Sequence, residues 1–372
     1  MSEVEAVYHE LAAKMKRPDS KILPKLLRSL ASLQQAAIMR EMPASPEEIS
    51  ERTGLPQETV DKDIRELFEK GVVVFTKKGW NLHGHWFTMH DLAGNSLPKY
   101  DNDEFCNLMQ EMLNESLEIL GERWKDVKEP SMMQVQRVVP DWKAIKDIPG
   151  VLPCEDTRVA FKDTSPIVLI HCACKRLELN RKCKDDIPLN VCFVAGRQGK
   201  QALRRGNGVE ISYEQYLEIQ DRAAREYGLI HLFSNNNSPH PEGLCNCHHC
   251  CCAHFIVTKY TKPRFNVQSF AKSRFIAEVD SEKCLGCRIC ADTRCPVGAV
   301  QMKHDPKTDK KYSVIDAEEC IGCGLCVLTC KPGARKMKLV RPPEHIPEPF
   351  GLMDVTSLSS EELAKQGKTF LP

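Results

Sequence analysis

Cys284, Cys287 and Cys290, followed by Cys295, recur 36 residues later as Cys320, Cys323 and Cys326, followed by Cys330. The frame around them repeats too: Glu278-Val-Asp-Ser-Glu-Lys-Cys284-Leu-Gly-Cys287 is matched by Val314-Ile-Asp-Ala-Glu-Glu-Cys320-Ile-Gly-Cys323. Three thiolates at two-residue gaps on a tight loop reach three irons on one face of a [4Fe–4S] cube. Gly286 and Gly322 let the backbone turn closely around inorganic sulfide. Structural zinc calls for separated pairs of cysteines closing a tetrahedron, which this pattern does not supply. The spacing therefore predicts two [4Fe–4S] clusters, which take up and release single electrons.

A second cysteine field lies upstream. Cys172, Cys174, Cys183 and Cys192 form one set, and Cys245, Cys247, Cys250, Cys251 and Cys252 form another, with His171, His248 and His249 beside them. Soft thiolates in a reducing setting select iron–sulfur or zinc. A further metal centre is expected here, a third [4Fe–4S] cluster or another metal, with ligands from both sets. Neighbouring side chains diverge, so Cys250, Cys251 and Cys252 cannot all serve one metal. Cys106, within a helix, and Cys154, in a proline-flanked loop, read as small core residues.

The elements that must position these residues predict an α+β, multidomain chain. Residues 1–90 read as a helical domain ending in a hairpin: a helix from Pro24 to Arg40, a short one capped by Ser45 and ended by Gly54, a third from Pro56 to Lys70, then strands around Lys77-Lys78-Gly79. This order resembles a winged helix-turn-helix domain. A helical connector spans 91–154, built on a long helix over 101–126. A cysteine-rich, mixed α/β middle domain spans 155–255, with strands at 166–171 and 229–233 and a helix opened by Ser212. Residues 256–341 form the two-cluster domain, entered through a basic linker at 256–275, and 342–372 form a tail with a short helix near Ser359–Lys365. The basic glycine stretches at Gly196–Lys200 and Arg204–Gly208 read as turns, with contact to a phosphate as the alternative.

Composition narrows the function. The 372 residues carry a net charge of +1, which offers no global field for nucleic acid. The would-be recognition helix at 57–70 is net −2, against phosphate contact. No apolar run is long enough to cross a membrane and no leader is evident. Nineteen cysteines without an export signal are expected to stay reduced in a cytoplasmic setting. Neither a dinucleotide fingerprint nor a phosphate-binding loop is present.

The repeat resembles the bacterial two-cluster ferredoxins. Carried over by position, the resemblance implies that Cys284, Cys287, Cys290 and Cys330 hold one cluster, and Cys320, Cys323, Cys326 and Cys295 the other. Two departures stand out: four residues precede Cys295 where that family has three, and Lys331 separates Cys330 from Pro332. Residues 165–340 are similar as a whole to little-characterised iron–sulfur proteins of anaerobic microbes, which have Cys where this chain has His248 or His249. The expected function is an iron–sulfur electron-transfer protein, or a subunit of a cytoplasmic anaerobic oxidoreductase, rather than a stand-alone enzyme. Its partner would be a protein redox carrier such as a flavoprotein. Two alternatives are an oxidoreductase with a substrate-active metal centre in 172–252 and a redox-sensing DNA-binding regulator.

Overall fold

The computed structural model describes residues 3–76, 78–96, 103–178, 187–241 and 243–349. Cys183, Lys77 and the tail helix expected near 359–365 lie outside the described residues.

The N-terminal part is helical. Helices α1 (Glu3–Lys14), α2 (Leu23–Leu30), α3 (Leu33–Glu41), α4 (Pro46–Thr53) and α5 (Gln57–Glu69) precede strands β1 (Val73–Thr76) and β2 (Gly79–Leu82), then α6 (Trp86–Ser96) and α7 (Asp103–Trp124). One helix over Pro24–Arg40 is not what forms. The chain breaks at Ala31, and Ser32 starts α3 with a reciprocal cap: its hydroxyl accepts from the Gln35 N–H, and the Gln35 side chain accepts from the Ser32 N–H. Ser-Leu-Gln-Gln is a capping box inside the apolar periodicity, and two satisfied amides outweigh continuing the helix. Gly54 and Gly71 end α4 and α5 at positive φ, as expected. The hairpin pairs Val73 with Leu82, and Trp80 adds a bridge to Ala44. All these helices share one apolar core, centred on Leu11, Leu26, Ile38, Leu67 and Met112.

The middle of the chain is a seven-stranded sheet in the order β6-β4-β5-β8-β7-β3-β9. Its strands are β3 (Gln136–Val139), β4 (Ile167–His171), β5 (Asn190–Ala195), β6 (Gly208–Ile211), β7 (Ile230–Ser234), β8 (Gly243–Cys247) and β9 (Phe270–Ala271). All neighbours run antiparallel except β3 and β9. The helices among them are α8 (Trp142–Ile145), α9 (Ala173–Glu178), α10 (Gly196–Arg205), α11 (Tyr213–Arg225) and α12 (Ala253–Phe265). Two segments differ from the sequence reading. The 256–275 stretch is no linker: it is mostly α12 plus β9, because Phe255, Val257 and Phe270 are apolar anchors that the surrounding lysines and arginines obscure. Of the basic glycine stretches, the one at 196–200 is not a turn but opens α10, while the one at 204–208 ends that helix and turns at Gly206, at positive φ, into β6. The connector, too, carries a strand, β3, in this sheet.

The C-terminal part holds β10 (Phe275–Val279), α13 (Ile289–Asp292), β11 (Val300–Asp305), β12 (Lys310–Ile315), α14 (Leu325–Leu328) and β13 (Arg335–Leu339). β10 pairs with β13 and β11 with β12, both antiparallel, so the chain's outer strands enclose an inner hairpin. No helix among the described residues is long and apolar enough to cross a membrane.

Candidate metal centres

The sequence repeat is a structural repeat. Asp280 Oδ1 accepts the N–H groups of Glu282 and Lys283 at 3.0 and 3.3 Å, and Asp316 Oδ1 those of Glu318 and Glu319 at 3.0 and 3.2 Å. Each aspartate's carbonyl takes the N–H of the first cysteine of its run, Cys284 or Cys320. These turns explain Asp-x-Glu-x-Cys: a short carboxylate caps its own loop and aims the following thiol.

The glycines of Cys-x-Gly-Cys are required by geometry. Gly286 and Gly322 both have positive φ, 65° and 73°. A Cβ at Gly286 would stand 2.5 Å from the Lys311 carbonyl oxygen, and one at Gly322 2.2 Å from that of Phe275. Each loop is thus pressed on the strand behind it.

Cys295 from the first repeat and Cys320, Cys323 and Cys326 from the second line one partly open pocket, whose about 340 Å3 of atom-free space includes open solvent. Ala277, Val300, Ile315 and Ile321 supply its apolar wall. No three of these thiols come within 4.8 Å of one another. A single tetrahedral zinc would draw its four thiolates to ~3.8 Å separations, given a Zn–S bond of about 2.3 Å. A cavity between spread thiols fits a cube, whose irons and sulfides stand between the ligands. Burial pushes the Cys323 thiol well above its ordinary range and that of Cys326 up to about 12, against the nearby Arg335 cation.

Arg335 itself is buried, and no sequence signal marked it. Its guanidinium reaches Cys326, and Nη2 donates to Ser313 Oγ at 2.6 Å. Ser313 Oγ stands 3.6 Å from Cys284 Sγ. One Arg335 nitrogen, Nη1, has no hydrogen-bond partner among the described residues. An uncompensated buried cation is costly, and one lying between the two sets of thiols would be compensated by the negative charge of a thiolate-held cluster. On the other side, Cys284 is buried, Cys287 exposed, and Cys290 and Cys330 half-buried. Burial raises the Cys284 thiol, but donors from Gly286 and Ser313 outweigh it and hold the group below its usual range.

The twin halves differ in what covers them. Leu285 is 76% exposed, while its counterpart Ile321 is 1% exposed; Ile289 is 40% exposed and its counterpart Leu325 2%. The second half is sealed by α8: a Cβ at Gly324 would come 2.9 Å from Ala144 Cβ.

The upstream field divides in two. Cys172, Cys174, Cys192, Cys245, Cys247 and Cys252 contact one another, while His248 Nδ1 stands 2.9 Å from Cys250 Sγ and 3.9 Å from Cys251 Sγ. His248, Cys250 and Cys251 form a group whose ligand atoms lie within 4.8 Å of one another, a spacing one metal ion could span. The Cys250–Cys252 run is therefore split between two places. His171 joins neither group among the described residues. Cys106 and Cys154 are buried, Cys106 within the N-terminal apolar core.

Residues 283–334 match the family model described as a 4Fe-4S dicluster domain. This segment forms the iron–sulfur part of the chain, and such a domain serves electron transfer. No curated protein and no solved structure matches the chain.

Proposed function

We propose that this protein is an iron–sulfur electron-transfer component of a cytoplasmic oxidoreductase system. Two [4Fe–4S] clusters are held by Cys284, Cys287, Cys290 and Cys330, and by Cys320, Cys323, Cys326 and Cys295. The observation that carries the reading is the shared cavity: Cys295 belongs to the first repeat, yet lines the same space as three thiols of the second. When bound, cubes with thiolates on every iron pass single electrons and leave no corner for substrate.

The chain's residues give the path two unlike ends. Leu285, Cys287 and Ile289 present the first site at the surface, flanked by exposed Lys283 and Lys311. A one-electron carrier or flavoprotein subunit with an acidic, partly apolar face would dock there. The second site faces inward. Cys323, Ile321 and Leu325 share one apolar cluster with Cys245, Cys247 and Cys252 of the middle domain. Electrons delivered at the face marked by Leu285 would leave toward the upstream thiols, where a further metal centre belongs.

The N-terminal domain, winged-helix-like in its order of elements, acts as a packing and docking unit. The C-terminal part of α5 is covered by α10, where the Arg205 guanidinium stacks 4.5 Å from the Phe68 ring. A helix engaged there and net negative is poorly placed to read DNA.

Anaerobic purification with iron and acid-labile sulfide counts, and electron paramagnetic resonance of the dithionite-reduced protein, tests the proposal. Two interacting one-electron signals that Cys295→Ser perturbs together with Cys320→Ser are expected. Colourless protein with zinc in place of iron and sulfide defeats it.

A further inference from the structure

Six thiols, with Cys172, Cys192, Cys247 and Cys252 buried and Cys174 and Cys245 half-buried, close into a ring. Cys172 touches Cys174 and Cys192; Cys174 touches Cys252; Cys252 touches Cys247; Cys247 touches Cys245; and Cys245 returns to Cys192. The sheet builds it. β4, β5 and β8 are adjacent, and the register pairing Phe193 with Leu244 brings Cys192 beside Cys245. Cys245 and Cys247 lie two apart on β8 and so face one side, while Asn246 between them faces the other, where Gln220 and His231 hold its side chain. Cys172 follows β4, Cys174 sits in α9, and Cys252 caps α12.

We propose that this ring holds a polynuclear iron–sulfur cluster on six thiolates, a third centre distinct from the two cubes and from the His248–Cys250–Cys251 group. It rests on the reading that the dicluster segment carries electrons, and extends it by assigning the inner end of the path.

Three observations point this way. First, although neighbours in the ring touch, no three of its sulfurs lie within 4.8 Å of one another. A mononuclear or thiolate-bridged zinc site would gather at least four sulfurs at ~3.8 Å. The open ring suits a cluster whose own irons and sulfides fill the middle, and six thiolates exceed the four that a single cube takes.

Second, the surroundings are arranged for negative charge. Lys175 is buried, and among the described residues its ammonium donates to the carbonyls of Asn246 and Pro188, at 3.3 and 3.5 Å, with the Cys172 sulfur near enough to feel its charge. Backbone N–H groups of Lys175, Ala253 and Phe255 point at Cys172, Cys174 and Cys252. Such donors stabilise thiolates and tune cluster potentials.

Third, the ring adjoins the inner cube site. Cys247 and Cys252 meet Ile321 and Leu325 in one cluster with Val138, Phe255 and Phe270, and Cys245 and Cys323 pack at its edges. One electron crossing this wall oxidises the inner cube by one unit and reduces the ring's centre by one, with no bond made or broken; dithionite is the donor in the test below.

The test uses the full chain, purified anaerobically. Iron, zinc and acid-labile sulfide are counted for wild type, for Cys192→Ser/Cys245→Ser, and for Cys323→Ser/Cys326→Ser. Wild type is expected to exceed the about eight irons and eight sulfides of two cubes. The first variant should fall to about eight while keeping the reduced dicluster resonance, and the second should keep ring iron. Should the ring variant not fold, the wild-type count decides alone. About eight sulfides per chain, or zinc on the ring cysteines, overturns the proposal. Iron and sulfide lost only from the ring variant, with the dicluster variant unchanged from wild type, would instead remove the dicluster reading and leave the ring's.

Discussion

The Asp280 N–H donates to the carbonyl oxygen of Ala334 at 2.7 Å, and 36 residues on the Asp316 N–H donates to that of Ala299 at 2.8 Å. Each repeat thus ties the loop that begins its cysteine run to the segment that follows the last cysteine of the other run. The two halves are stitched crosswise by backbone, which places Cys295 beside the cysteines of the second run.

The glycines should not tolerate substitution equally. Gly54 sits at φ 69° with nothing within 4 Å of a Cβ, so Gly54→Ala is expected to cost about 1 kcal/mol, the penalty of a left-handed alanine. At Gly322 the same backbone penalty adds to collisions with Ser273 and Phe275. Gly322→Ala should cost ~2–5 kcal/mol and lower iron content with it. Thermal unfolding of both variants beside wild type measures the difference; equal losses would contradict the crowding argument.

Arg335→Met removes the guanidinium shared by Cys326 and Ser313. The added electron makes a cluster more negative, so loss of the cation should make reduction harder, by about 1–3 kcal/mol per electron on the scale of a charged hydrogen bond. A potentiometric titration followed by paramagnetic resonance reads this as a shift to lower potential. An unchanged or raised potential would show that the cation does not compensate the clusters.

Leu285→Glu changes an exposed residue on the first site's face. Folding stability should move by less than about 0.5 kcal/mol, and iron content should stay constant. The second-order rate of reduction by an acidic protein donor should drop, while reduction by dithionite should not. Stopped-flow absorbance with each donor separates the two, and equal rates with the protein donor would move the docking face elsewhere.

His83 is buried in the N-terminal core, and desolvation, reinforced by the Arg205 cation, lowers it to about 4. The unfolded chain binds this proton near pH 6.5 and the folded chain does not. Stability contributed by the neutral ring is therefore present above pH 6.5 and falls as pH drops toward 4, by about 3 kcal/mol in all. The pH slope of chemical denaturation for wild type minus that for His83→Gln should show this loss. No difference between the two slopes would mean that His83 is solvated.

How much was legible depended on distance along the chain. The dicluster segment could be read because its cysteine spacing is local and repeated, and the turn chemistry of Asp280 and Asp316 is written in the same few residues. The ring was visible only as an excess of cysteine. Cys-x-Cys on a strand could have announced that Cys245 and Cys247 share a face, but their meeting with Cys172 and Cys192 depends on strand register, which no local pattern fixes. Arg335 and Lys175 gave no signal, since a buried cation reads like any surface one until its surroundings are known. The break at Ser32 was present as a capping box hidden beneath helical periodicity, and α12 was hidden by its charges.

The close seating of α6 on α9 has its own result for how the protein matures. A Cβ on Gly94 would lie 2.6 Å from that of Ala173, between two cysteines of the ring, and Phe87 on the same helix stacks edge-on to His254. The N-terminal domain therefore covers the segment that carries Cys172 and Cys174. On the proposal that the ring holds iron, the metal would have to arrive before this cover is seated or through its transient opening, so newly made chains would be most receptive to it while the N-terminal helices remain unseated.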